Sequence, residues 1–263
     1  MHAVFLDYKT VDANDLDLGS IKAFLPEIMI YSFSNEEEVL TRIEDAEVAI
    51  ANKVVFDANV FARATKLKLI CVTATGTNNI DLEAAKQSGV VVCNIRDYCT
   101  DSVVQHVLLS ILSLKHSSRD YSASMESGDW QEGNSFSLLQ HPITELSGKS
   151  LGIVGYGVLG QGVARAAETL GLKVLISESF AENNKSDESI TRVSFDVLLA
   201  ESDIISLHCP LTDNTAGLFD EGVFKQMKSS AILINTARGG LINDHALIKA
   251  IKNKTIAGAA IDV

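Results

Sequence analysis

Short apolar runs alternate with helical patterns along most of this chain. In the first half, the runs Ala3–Leu6, Ile28–Tyr31, Val48–Ala51, Leu69–Val72 and Val90–Cys93 read as buried strands. Between them lie the helical patterns Glu36–Ile43, Asn59–Arg63 and Leu82–Gln87, the last stopped by Gly89. A long helical pattern follows from Ser102 to Ser118, with Thr100 and Asp101 as N-cap candidates. Its apolar positions Val103, Val104, Val107, Leu108, Ile111, Leu112 and Leu114 cover more than one face, which predicts a buried helix leading into a second domain. Residues 124–148 break the rhythm with Gly, Ser, Asn and Pro, and predict a loop or arm with Trp130 as a packing anchor. From Leu151 the alternation resumes. Strands are expected at Leu151–Val154, Val174–Ser177, Ile204–Leu207, Ile232–Asn235 and Ile256–Ile261, and helices at Leu159–Leu170, Phe195–Ala200, Glu221–Met227 and His245–Ile251. The expected fold class is α/β, with two doubly wound parallel-sheet domains at residues 1–99 and 100–263.

A chain of 263 residues is long enough for two such cores. No apolar run approaches the ~18–20 residues of a membrane span. The N-terminus MHAVFLDYKT lacks a basic leader followed by an apolar core, so no signal peptide is expected. A formal net charge of −12 argues against nucleic acid or an anionic membrane as partner. It leaves room for a small anionic substrate, because a few local cations can dominate a cleft. Cys71, Cys93, Cys99 and Cys209 show no CxxC and no metal-ligand spacing with His. With three of them in or beside apolar runs, free buried thiols in a reducing cytoplasm are expected, and no metal.

The most specific motif is Lys149–Gly160, KSLGIVGYGVLG. An apolar strand runs into Gly155-x-Gly157-x-x-Gly160 and then into a helix opened by Val158 and Leu159. Gly155 allows a tight turn, Gly157 lets a pyrophosphate approach the backbone, and Gly160 lets helix and sheet pack closely. The helix N-terminus offers free N–H groups and a positive dipole end to phosphates. Glu178 closes the next strand, 18 residues past Gly160. A carboxylate there accepts hydrogen bonds from ribose hydroxyls and repels a 2′-phosphate, and no Arg follows in Ser177–Ala181. NAD is therefore favoured over NADP, against the competing reading of Glu178 as a surface loop acid.

Arg238 follows the Ile232–Asn235 run, at the strand end where open α/β sheets place ligands. Its guanidinium can grip a carboxylate through a fork and polarise a neighbouring carbonyl oxygen. Thr73–Thr77 also ends an apolar run. Consecutive N–H groups there suit an anion nest, although an ordinary turn capped by Asn79 or Asp81 fits as well. Lys53 adds a cation at the same rim, or is simply a solvated lysine.

These motifs make the chain similar to the D-isomer-specific 2-hydroxyacid dehydrogenases. The resemblance covers nearly the whole chain: ATGTNNIDLEAA at 74–85, SVVQHVLLSIL at 102–112, GYGVLG, LHCPLTDNTAGL at 207–218, INTARGGLIND at 234–244 and AGAAIDV at 257–263. Asn52-Lys53 and TGTNNID point to the glycerate dehydrogenase, or hydroxypyruvate reductase, branch. The resemblance implies a flavodoxin-like substrate domain, a Rossmann NAD-binding domain, NAD as cofactor, a 2-keto or 2-hydroxy acid substrate and a homodimer. It assigns substrate binding to the N–H groups of Thr75, Gly76 and Thr77 and to Arg238, with Lys53 as a candidate cation beside them. Cofactor contacts fall to the glycine turn, Val158, Leu159, Glu178, His208, Pro210, Thr215, Thr236, Ala237, Arg238 and Asp262. Asp262 also tunes the proton balance of the site. His208 equally fits a satisfied strand-end histidine, and Asp262 a frayed acid.

The family's proton donor is a His held by a Glu, both placed beyond the segment matching Ala260–Val263. The sequence ends at Val263, and none of its six histidines sits at the family's position. The residues to 263 are therefore expected to reduce 2-keto acids poorly, with the last sheet strand and the returning helix also absent. A catalytically silent dinucleotide-binding or interaction protein on the same scaffold is the alternative reading.

Overall fold

The computed structural model describes residues 1–133, 135–180 and 190–263. The chain divides into two compact units, Met1–Tyr98 and Cys99–Val263.

In the first unit, β1 (Ala3–Phe5), β2 (Met29–Ile30), β3 (Val48–Ala51), β4 (Leu69–Val72) and β5 (Val91–Asn94) form one parallel sheet in the order β2-β1-β3-β4-β5. This is the flavodoxin-like order. Helices α1 (Gly19–Phe24), α2 (Glu36–Ile43), α3 (Ala58–Arg63) and α4 (Leu82–Gln87) connect the strands. Asn35, Asp57 and Asp81 start α2, α3 and α4 by accepting the backbone N–H three residues on. One sheet face packs Val4, Ala49, Ala51, Ile70 and Val72 against Val39, Ile43, Val60, Phe61 and Ala85 of those helices. The register row Phe5, Ile50, Cys71, Cys93 lies on the other face. It runs from buried at Phe5 and Ile50 to exposed at Cys93 on the edge strand. Only Cys209 of the four free thiols is fully buried, which corrects the expectation for Cys71 and Cys93. The pattern also missed α1, which buries no residue and so has no apolar stripe to detect.

The second unit opens with α5 (Thr100–Lys115). Its N-cap is Cys99, without a side-chain cap bond, so Thr100 and Asp101 lie inside the helix rather than capping it. Ser117 adopts a left-handed conformation, φ 48°, and ends the expected single helix before α6 (Ser118–Glu126) begins. With α7 (Asp129–Glu132), helix enters part of the stretch expected as loop. Trp130 is 46% exposed and donates its indole N–H to Phe136 O at 3.0 Å, so it anchors a surface turn rather than the core. On α5 the buried positions are Val107, Ile111 and Lys115, whereas Leu109 is 61% exposed, so the helix is not buried all round.

The second sheet contains β6 (Ser150–Val154), β7 (Lys173–Ile176), β8 (Ile204–Leu207), β9 (Ile232–Asn235) and β10 (Gly258–Ile261), all parallel, in the order β7-β6-β8-β9-β10. A parallel bridge from Ser177 to Val193 adds one more position outside β7. With that bridge counted as the third strand in chain order, the sheet reads 3-2-1-4-5-6, the dinucleotide-binding order. Helix α8 (Val158–Thr169) joins α5 on one face, packing Val163, Ala164 and Ala167 with Val107 and Ile111 over Leu151, Ile153, Ile204 and Ile234. Helices α9 (Phe195–Glu201), α10 (Glu221–Gln226) and α11 (Asp244–Lys252) cover the other face through Leu198, Phe224 and Ala250. Two separate cores on two faces make this unit doubly wound.

Candidate active site

The glycine turn leaves β6 at the point where the chain reverses direction between β6 and β8. Gly155 has φ 97°. A Cβ there would overlap the backbone of His208 and Cys209, at the end of the neighbouring strand. A Cβ on Gly160 would overlap Gly155 O. Gly157 is different: its φ of −80° suits any residue, and a Cβ would meet nothing within 4 Å. The protein's own packing does not require glycine at 157, whereas a ligand resting on the backbone does.

The start of α8 supports that reading. Helices α2, α3, α4, α9, α10 and α11 are each capped by an Asn, Asp or Ser side chain. Helix α8, 12 residues long, has Gly157 as N-cap, no side-chain cap bond and no acid in its first turn. Its first N–H groups, at Val158, Leu159 and Gly160, receive no side-chain cap, and Gly157 places no side chain beside them. The residues present fit a pyrophosphate.

Glu178 lies just beyond β7. Its backbone N–H donates to Val193 O at 2.9 Å, and its Oε1 accepts from Phe195 N–H at 2.9 Å. The acid thus helps start α9, and among the described residues its second oxygen accepts no hydrogen bond. Ala181, the end of the Arg-free stretch, lies outside the described residues.

Across the turn, His208 and Cys209 follow β8. The His208 ring pairs its Nε2 with Ser206 Oγ at 2.8 Å, and burial pushes its pKa down to about 4. The ring is therefore neutral at pH 7 and is not a general acid there. Burial also pushes the Cys209 thiol up to about 11, so it is no nucleophile. Pro210 is exposed. Thr215 is buried, and its hydroxyl accepts from Thr212 N–H at 2.8 Å and donates to Pro210 O at 2.7 Å. Its hydroxyl is spent on shaping the loop.

The His208 shift has a consequence for pH. The unfolded ring binds a proton near pH 6.5 and the folded ring only near 4, so the unfolded state holds more protons between those values. Stability is full above about pH 6.5 and falls as pH drops toward 4, by roughly 3 kcal/mol from this ring alone. A His208→Gln variant should show a smaller loss in chemical denaturation between pH 7 and pH 4.5. An equal slope in both proteins would remove His208 as the cause.

At the end of β9, Asn235 is fully buried and staples the next turn. Its Oδ1 accepts from Ala237 N–H at 3.0 Å and its Nδ2 donates to Arg238 O at 2.9 Å. The Oγ1 of Thr236 is buried without a hydrogen-bond partner. Arg238 is exposed, and its Nη1 donates to Ala237 O at 2.6 Å. Among the described residues no carboxylate pairs with this guanidinium. Asp262 donates its backbone N–H to Asn235 O at 2.9 Å, and its Oδ2 lies 3.5 Å from His106 Nε2. The Thr236–Arg238 turn and Asp262 thus share the C-terminal edge of β9 and β10, tied through Asn235.

In the first unit, Thr75, Gly76 and Thr77 follow β4. Among the described residues their backbone N–H groups donate no hydrogen bond, as an anion nest requires. Asn94 Nδ2 holds Thr75 O at 2.7 Å. Lys53 is exposed and lines a groove with Glu36, Glu37 and Asp57, an acidic setting that favours the lysine over an anionic ligand.

The sequence pattern did not mark Asn235, Asn94, Asp7 or the pairing of His106 with Asp262, and it offered Asn79 as a cap of the local turn, whereas Asn79 bonds Val54 O at 2.6 Å. Asn235 left one signal, an Asn ending an apolar run before Thr-Ala-Arg, as an Asx turn prefers. The others meet partners many residues away, which local pattern does not reveal.

The model of the D-isomer specific 2-hydroxyacid dehydrogenase NAD binding domain matches residues 108–263. A glycerate dehydrogenase of Methylorubrum extorquens is 40% identical over 261 residues, covering 99% of this chain and 80% of its own length. A hydroxypyruvate reductase of Blautia hydrogenotrophica is 34% identical, with 100% and 82% covered. An acyclic imino acid reductase solved with NADPH and D-Arg superposes with a TM-score of 0.86 at 26% identity, covering 100% of this chain and 82% of that one.

Proposed function

The chain belongs to the D-isomer specific 2-hydroxyacid dehydrogenases, NAD-dependent oxidoreductases of 2-hydroxy acids, and we propose that it interconverts hydroxypyruvate and D-glycerate. The observation that carries the reading is the pairing, on one sheet, of an uncapped α8 over an open Gly157 with an unpaired guanidinium at Arg238. The first offers N–H groups to a pyrophosphate. The second offers a fork to a carboxylate and a positive charge to a keto oxygen.

When bound, the nicotinamide cofactor supplies the hydride. Arg238 would orient the keto acid and stabilise the negative charge that grows on its oxygen. Residues 1–99 would be the substrate domain, with the Thr75–Thr77 N–H groups as its nest for a carboxylate, and residues 100–263 the cofactor domain. Asp262, tied to Asn235 and beside His106, would contact the nicotinamide amide. His208 would serve as a neutral wall rather than as the acid, because its pKa lies about three units below pH 7. A cytoplasmic homodimer completes the proposal. Free cysteines suit a reducing compartment, the family resemblance supports the dimer, and no helix among the described residues is long and apolar enough to cross a membrane.

The test is oxidation of NADH and of NADPH with hydroxypyruvate, glyoxylate and pyruvate, by the protein expressed from its natural reading frame. Hydroxypyruvate with NADH should give the highest kcat/KM. Glu178→Ser should narrow the preference for NADH by about tenfold, because a free carboxylate oxygen there opposes a 2′-phosphate. Equal use of both cofactors by the unmodified protein would refute the role of Glu178. Preference for another 2-keto acid would refute the substrate.

A further inference from the structure

Asp7 follows β1 and is only 3% exposed. Its Oδ1 accepts from Asn52 N–H at 2.9 Å, and its Oδ2 accepts from Lys53 N–H at 2.6 Å and from Val54 N–H at 3.2 Å. No cation among the described residues forms an ion pair with it. Three successive backbone N–H groups compensate the charge, the arrangement by which loops hold anions.

The position of this carboxylate gives it weight. Strands β1 and β3 are neighbours, and the order β2-β1-β3-β4-β5 reverses direction between them. The crevice beyond such a reversal is where open α/β sheets bind ligands. In this unit an internal carboxylate fills the crevice and takes the N–H groups a ligand would use. A substrate anion must then use another part of the same rim, and the N–H groups without partners lie one loop further on, at Thr75–Thr77.

That loop is fastened to the Asp7 network. Asn79 donates Nδ2 to Val54 O at 2.6 Å and to Asn52 O at 3.4 Å. Asn52 donates its own side-chain amide to Thr10 Oγ1 at 3.1 Å. Ile80 N–H closes the turn onto Thr77 O at 3.0 Å. The segments after β1, β3 and β4 thus form one hydrogen-bonded assembly, with Asp7 at its centre and the Thr75–Thr77 N–H groups at its outer end.

We propose that Asp7 is a positioning residue for substrate binding: it never touches the substrate, but fixes the Asn52–Val54 loop and, through Asn79, the Thr75–Thr77 nest. The inference rests on the reading of that nest as a substrate-carboxylate site. It predicts an effect on KM rather than on kcat, because the groups it orders grip the carboxylate in ground state and transition state alike.

The test uses Asp7→Asn and Asn79→Ala in the protein expressed from its natural reading frame. Asp7→Asn keeps the shape but removes the charge and turns one acceptor into a donor facing the loop N–H groups. Each variant should raise KM for hydroxypyruvate by about tenfold or more, leave kcat within about threefold, and leave NADH affinity within about twofold. Peptide-resolved hydrogen exchange over residues 73–80 should speed up by about tenfold in both, since the Ile80 bond loses its support. An unchanged KM in a turning-over enzyme overturns the proposal, as does a fall of kcat and NADH binding in step with the melting temperature. If Asp7→Asn does not fold, Asn79→Ala decides, because it leaves the Asp7 bonds intact. If the unmodified protein reduces no 2-keto acid, the proposed function fails, and exchange over residues 73–80 still decides the role of Asp7: faster supports it, unchanged overturns it.

Discussion

Replacing Arg238 by alanine is expected to lower kcat/KM for hydroxypyruvate at least about a hundredfold, on the order of 3 kcal/mol of transition-state stabilisation. The side chain is exposed and its recorded bond is to the adjacent carbonyl of Ala237. Folding stability should therefore hardly change, as for most surface substitutions. The loss should appear in kcat as well as in KM, because charge on the keto oxygen grows toward the transition state. Arg238→Lys should recover only part of it, since an ammonium keeps the charge and loses the fork. Steady-state kinetics with the protein from its natural reading frame decide the matter. Near-normal turnover by Arg238→Ala would remove this residue from the reaction.

The three glycines of the turn should separate into two classes. Gly155→Ala is expected to lose at least about 3 kcal/mol of stability, combining a left-handed backbone penalty with overlap against the end of β8. Gly160→Ala should behave similarly, because its Cβ would overlap the Gly155 carbonyl. Gly157→Ala meets no neighbour within 4 Å and should keep its melting temperature, yet weaken NADH at least about tenfold by displacing the pyrophosphate from the α8 N–H groups. Thermal melts and NADH fluorescence titrations on the three variants test this. Unaltered NADH affinity in Gly157→Ala would mean that the start of α8 holds no phosphate. Little destabilisation in Gly155→Ala would contradict the packing against Cys209.

Much of the fold was legible because parallel strands buried on both faces are nearly continuous apolar runs. Val48–Ala51, Leu69–Val72, Ile204–Leu207 and Ile232–Asn235 were read with the bounds the structure shows. Elements that bury little left no such trace. Helix α1 buries nothing, and α7 is four residues long with nothing buried. The division of residues 102–126 into α5 and α6 rests on the left-handed backbone of Ser117, a conformation that glycine adopts routinely and serine seldom.

The amino-acid sequence by itself determined the glycine turn, the acid after β7 and the Arg after β9, because each depends on residue type and on distance from an apolar run. Such features are set within a few residues and survive any change in how the strands are ordered. The tertiary structure alone decided what surrounds them. Strand order brings His208 and Cys209 against Gly155, so that only glycine fits there, while Gly157 stays open. Burial removes the charge from His208. Asp262 joins the Arg238 turn through Asn235, and Asp7 reaches across 45 residues to the Asn52 N–H. Each of these depends on which strands lie side by side, and hydrogen bonds and desolvation act over a few ångströms of space, whatever the separation along the chain.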